Sequence, residues 1–311
     1  MARRFGWLTA VGVFSVYLGL SGKGGDLAVA IVEPVKPEAI VVDTEGQETR
    51  LTALEWGGNV RRLAWLADPN AADDEGRRGP LALEIREPNS TTLTRGVLTF
   101  VPVRHIAAIE FDYDQQYVTY RVQGLQQQLI GTLQYRGINT VNISGRTPEG
   151  EKRTFLGGSR QGKGAVIRTL TLPHAQPVVP RREGQTWNVQ ILQPSANDPV
   201  VPARNLKPLF VLPHGQERLR EALPLRKAEP LTFDTRLLRW EMLAHDPNTH
   251  LAVAEITLAD QAERLIAIPL TLPEDGQTAQ LAGLLGEIDA GWKLFPLHTI
   301  RTIVPAKRKM D

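Results

Sequence analysis

The chain has 311 residues, long for a single hydrophobic core, with 42% apolar residues and no cysteine. The missing cysteine excludes thiol catalysis, disulfide staples and cysteine-ligated metals together. The net charge of +2 belongs to residues 1–30, where Arg3, Arg4 and Lys23 face only Asp26, so the rest is neutral overall and nucleic acid is not an expected partner.

Residues 1–30 are laid out as a signal peptide or short membrane anchor. Two arginines precede a 14-residue uncharged run, Trp7 to Leu20, and Ala28-Val29-Ala30 fits a cleavage pattern. Fourteen helical residues rise about 21 Å, against the roughly 30 Å of a bilayer core. The expectation is an exported, periplasmic or extracellular protein, with anchoring to the inner membrane by residues 7–20 as the variant in which the leader is retained.

Residues 38–172 read as a β-rich domain. Ile40–Val42 and the run from Thr49 flank a Glu45-Gly46 turn, as a hairpin requires. Leu81, Leu83 and Ile85 alternate with charged neighbours. Val97 to Val103 is apolar on both faces, which predicts a strand packed on two sides and bent or ended at Pro102. Ile106 and Ile109, three apart, fit an irregular corner. From Glu110 to Tyr135 the alternating runs, broken at Asp114-Gln115-Gln116 and Gly124, spell a meander.

Gly157 to Lys163 has the G-x-x-x-x-G-K spacing of a phosphate loop. Gly164 stands where the magnesium-binding hydroxyl belongs, and AVIRTLTLP continues as strand text, not as a helix. No cofactor follows from it. The surrounding residues form a candidate anion-binding patch: Arg146, Lys152, Arg153, Arg160, Lys163, Arg168, Arg181 and Arg182, opposed only by Glu149 and Glu151. Such a patch suits an anionic polymer or lipid.

Residues 173–230 hold 10 of the 22 prolines and read as an extended crossover, with Glu217–Leu223 as a short helix. Residues 231–305 form a second β-rich domain, in which Leu281, Leu284, Leu285 and Ile288 have helical spacing. Its final strand repeats the earlier one. Leu98, Phe100, Val101, Pro102, Val103, Ile106 and Ile109 correspond to Trp292, Leu294, Phe295, Pro296, Leu297, Ile300 and Ile303.

The fold class expected is mainly β: two small antiparallel barrels or sandwiches, with few short helices, joined by the proline-rich segment. None of the six histidines stands in a metal-binding spacing, no nucleophile elbow occurs, and no catalytic or metal residue is assigned. Asp112 and Asp114 are the one carboxylate pair suited to glycosidic chemistry, on condition of a cleft between them. The functional expectation is a non-enzymatic structural or protein-interaction component of the cell envelope, its partner another envelope protein or a second copy. The alternatives are a polymer-acting hydrolase and a module binding anionic polymer or lipid through residues 146–182.

Overall fold

The structure, a computed structural model, describes residues 38–86, 96–114, 118–135, 141–158, 165–179, 184–192, 199–211, 237–246, 251–259, 263–274 and 277–306. All of them belong to the compact unit Pro37–Asp311. The leader, the short helix expected at Glu217–Leu223, and Arg160, Lys163, Arg181 and Arg182 lie outside the described residues. Among the described residues no helix is long and apolar enough to cross a membrane. That finding goes against the membrane anchor expected at residues 7–20, and the anchor is not carried further.

The protein is mainly β. The first strands are β1 (Ala39–Asp43), β2 (Glu48–Gly58), β3 (Val60–Arg62), β4 (Leu81–Arg86) and β5 (Leu98–Pro102). Then come β6 (Ala108–Tyr113), β7 (Val118–Gln123), β8 (Leu129–Tyr135), β9 (Val141–Arg146), β10 (Lys152–Gly157) and β11 (Ala165–Thr171). The later strands are β12 (Thr186–Ile191), β13 (Val200–Val211), β14 (Leu237–Asp246), β15 (Leu251–Leu258) and β16 (Glu263–Pro269). The series ends with β17 (Thr271–Glu274), β18 (Gln277–Ile288), β19 (Gly291–Phe295) and β20 (Ile300–Pro305). A five-residue helix, α1 (Asp74–Arg78), and short 3-10 turns complete the described elements.

Two sheets result. In the first, β1, β2, β9, β10 and β11 close into a five-stranded barrel through the β1–β11 pair, and the β6–β7–β8 meander extends from β11. The second is open and has twelve strands, in the order β16-β15-β14-β20-β12-β13-β18-β19-β5-β4-β3, with β17 beside β18. β12 and β13 come from the proline-rich stretch, whose apolar residues Trp187, Val189, Ile191, Ala203 and Leu206 are buried in a core. β5 sits between β4 and β19 with all five residues buried. Val101 faces the barrel-side core with Leu83, Ile85 and Ile109, while Leu98 and Phe100 face Trp65, Leu209 and Leu294 on the other side. Trp65 meets Phe100 edge-on at 5.5 Å, a geometry worth about 0.5–1.5 kcal/mol beyond burial.

The helix expected over Leu281–Ile288 is instead part of strand β18, and a bulge explains the difference. Leu209 pairs with Gly283 and Phe210 with Leu281, so Ala282 is an extra residue. Its insertion shifts the period-2 alternation. Leu281 before it, and Leu284 and Ile288 after it, then face one core at spacings that imitate a helix, while Leu285 faces another.

The two sequence echoes fold alike. β5 ends at Pro102 and turns through a 3-10 step, Val103–His105; β19 is followed by Pro296 and an equivalent step, Leu297–Thr299. Pro102 (φ −55°, ψ 131°) matches Pro296 (φ −58°, ψ 136°), and Ile106 (φ −91°, ψ 117°) matches Ile300 (φ −93°, ψ 131°). The two strands also pair with each other: Phe100 with Trp292, Thr99 with Lys293, Leu98 with Leu294. Exchanging each residue for its counterpart leaves this register unchanged, so a local two-fold axis passes through the Thr99–Lys293 pair.

Candidate binding cleft

One row of residues leads from a core to a cleft. Phe100 on β5 pairs with Trp292 on β19, Trp292 with Glu287 on β18, and Glu287 with Arg204 on β13. Directly paired residues share a face of the sheet. The row therefore passes from buried Phe100, through a half-buried indole, to two half-buried ionic residues. It opens into a cleft of about 360 Å³, at the small end of the ligand-site range.

Three backbone devices hold the walls. The β18–β19 hairpin turns through Asp289 and Ala290 alone, between the paired Ile288 and Gly291. Gly291 has φ +149°, and a Cβ there would lie 2.1 Å from the Phe100 carbonyl oxygen, so this close approach to β5 requires glycine. The turn aims Asp289 at Arg204, whose Nη2 donates to Oδ1 at 2.9 Å. Opposite stands the Pro102–His105 corner, tied to the segment after β11: the Gln176 N–H donates to the Arg104 carbonyl at 2.6 Å.

His105 completes that tie. Arg104 Nε–H donates to His105 Nε2 at 3.4 Å, which leaves Nδ1 as the protonated nitrogen facing the Gln176 carbonyl at 3.2 Å. Both ring nitrogens of the neutral imidazole are thereby engaged. Arg104 also faces Glu75 on α1 at 3.5 Å. Arg204 Nε is buried and finds no hydrogen-bond partner among the described residues. A buried donor in that state is costly unless something accepts from it.

Four of the eight residues of the expected anion patch are described, and two of these stand in ion pairs. Lys152 pairs with Glu55 at 2.8 Å and Arg153 with Glu151 at 3.0 Å, while Arg146 donates to the Gly150 carbonyl at 3.2 Å. Arg168 stands exposed on β11. Glu149 is held below the usual carboxylate range, first by the Thr147 hydroxyl, then by its own backbone N–H and by Arg153. The Thr147 hydroxyl makes no bond within strict hydrogen-bond geometry, so its pull on Glu149 is that of a polar group at longer range.

Asp112 is exposed on β6, opposite Thr119. His245 and His298 are brought to 5.8 Å between ring centroids, a proximity their sequence positions do not announce. Among the described residues no group of three or more His, Asp or Glu side chains could hold a metal ion. The cleft residues Arg104, Gln176, Arg204, Glu287, Asp289 and Trp292 are not legible as a set in the sequence, since they come from four separate stretches. The sequence signal near them is the repeated strand-to-corner pattern, which includes Pro102 and Trp292.

Comparisons with protein-family models, with curated proteins and with solved structures found no match for this chain.

Proposed function

We propose that this protein works by contact: a non-enzymatic β scaffold that joins a second copy of itself along the outer edge of β16. The observation supporting this reading is the composition of that edge. Among the described residues β16 is the last strand in the order of the twelve-stranded sheet, and its register with β15 runs unbroken from Leu251–Pro269 to Thr257–Glu263. Natural sheets guard such an edge with lysines, bulges or mid-strand prolines. Here Glu263 and Arg264 charge one end and Pro269 closes the other, but Leu265 to Ile268 between them carries no charge and no bulge interrupts the strand.

Leu265 is 68% exposed and pairs with Glu255 on β15, while Leu251, on the same face and paired with Pro269, is exposed too. An antiparallel copy centred on Ile266 sets Leu265 against Ala267 and Glu263 against Pro269, with no like charges opposed. Sheet extension of this kind supplies affinity through main-chain hydrogen bonds and specificity through alternate side chains. We further read residues 38–172 and 231–305 as two related β units joined at the β5–β19 pair.

Sedimentation equilibrium over a broad concentration range tests the pairing. The expected result is a reversible dimer that Leu265→Lys converts to monomer while the circular dichroism spectrum stays unchanged. A protein monomeric at every concentration, or a dimer indifferent to the lysine, overturns the reading.

A further inference from the structure

We infer that the cleft between the Pro102–His105 corner and the β18–β19 hairpin is a binding site for a neutral saccharide chain. Three features of its lining carry the inference. The first is charge balance: among the lining residues Arg104 and Arg204 equal Glu287 and Asp289 in number, Arg204 pairs with Asp289, and His105 is neutral in the tautomer its partners require. A site with this balance selects neither a cation nor an anion. The described residues of the expected anion patch, Arg146, Lys152, Arg153 and Arg168, lie on β9, β10 and β11.

The second feature is the type of polar group. Guanidinium, carboxylate and amide are planar and pair side by side, and the lining holds both donors and acceptors. A sugar hydroxyl both donates and accepts, so it satisfies such neighbours in a way that a phosphate or an ammonium group cannot. Arg204 supplies the specific anchor. Its Nη2 is committed to Asp289, whereas its buried Nε–H has no acceptor among the described residues. A ligand hydroxyl resting on the Arg204–Asp289 pair accepts from Nε and donates to the carboxylate at once.

The third feature is the apolar surface. Trp292, Pro102, Pro177 and Val179 line the same cleft, and Val179 is 73% exposed. Indole and proline rings offer flat hydrocarbon faces to the axial C–H groups of a pyranose, while the planar polar groups address its hydroxyl edge.

Isothermal titration calorimetry on the full chain tests the proposal. The probes are hexamers of β-1,4-glucose, α-1,4-glucose and β-1,4-N-acetylglucosamine, with a heparin hexasaccharide as the anionic arm. At least one neutral hexamer is expected to bind. Asp289→Ala should weaken that binding roughly tenfold or more, the loss of one charge-assisted hydrogen bond. Arg204→Lys, which keeps the charge and removes the Nε donor, should do the same. Asp289 is exposed at a turn, so its alanine variant should keep the wild-type melting temperature and serve as the folding control. No heat from any neutral hexamer, binding of heparin alone, or neutral binding indifferent to both variants would overturn the inference. Because β16 lies at the far end of the sheet order, the dimer experiment and this one fail independently.

Discussion

At the scale of single residues, the tightest constraint lies at Gly291, where the hairpin carrying Asp289 and Trp292 presses on β5. Its φ of +149°, and the Phe100 oxygen only 2.1 Å from where a Cβ would stand, leave no room for any side chain. Gly291→Ala should lower stability by about 2–4 kcal/mol, the sum of backbone strain and a displaced strand. Gly46 is the matched control: its φ is +85° but nothing lies within 4 Å of the added carbon. Gly46→Ala should cost only the positive-φ penalty, about 1 kcal/mol. Chemical denaturation of both variants measures the difference, and equal costs would show that the approach to Phe100 is not tight. The sequence marks Gly46 as a turn residue but does not announce the constraint at Gly291, because a close backbone approach depends on a strand far away in the chain.

At the scale of elements, the two proline corners are the parts most open to direct comparison. Ile106 and Ile300 occupy matching positions after matching 3-10 turns, and they are 1% and 0% exposed. Each should lose about 2–5 kcal/mol on truncation to alanine, the usual cost of deleting a buried isoleucine side chain. The shared geometry makes a narrower statement. The two losses should agree within about 1 kcal/mol, since the cost varies mainly with how far the site can collapse. Equilibrium unfolding of Ile106→Ala and Ile300→Ala checks it, and a large disparity would mean that the likeness ends at the backbone.

The corners also show which elements are legible in the sequence. Where a strand keeps its alternation, as in the β6–β7 pair or the β15–β16 hairpin, local pattern is sufficient. Pro102 ends β5 for the reason visible in the sequence, its missing N–H. β18 reads as a helix because one inserted residue, Ala282, reproduces helical spacing in an extended chain. No local count distinguishes the two. Only the register against β13 does, and register is a property of two strands.

At the scale of the whole molecule, the open sheet runs through three regions that the sequence presents as separate. β3 to β5 come from the first, β12 and β13 from the proline-rich stretch, and β14 to β20 from the last. Strand pairing between distant segments leaves no trace in composition or periodicity, so neither the continuity nor the cleft built on it is legible. The β5–β19 pair predicts coupled unfolding, because opening it uncovers Leu98 and Phe100 on one side and Leu294 on the other. Scanning calorimetry should show one transition with a calorimetric-to-van't Hoff enthalpy ratio near one. For a chain of this length that outcome is not the default. Two resolved transitions would show that the two halves melt independently of their shared sheet.

The local two-fold axis at Thr99 and Lys293 bears on how such a chain could arise. An ancestor with a single proline corner would expose the strand before it along an unprotected side. Two copies meeting there would form the same antiparallel seam as an interface between subunits. Joining the genes of those subunits end to end would then turn an association that depends on concentration into one that does not, without inventing a new contact.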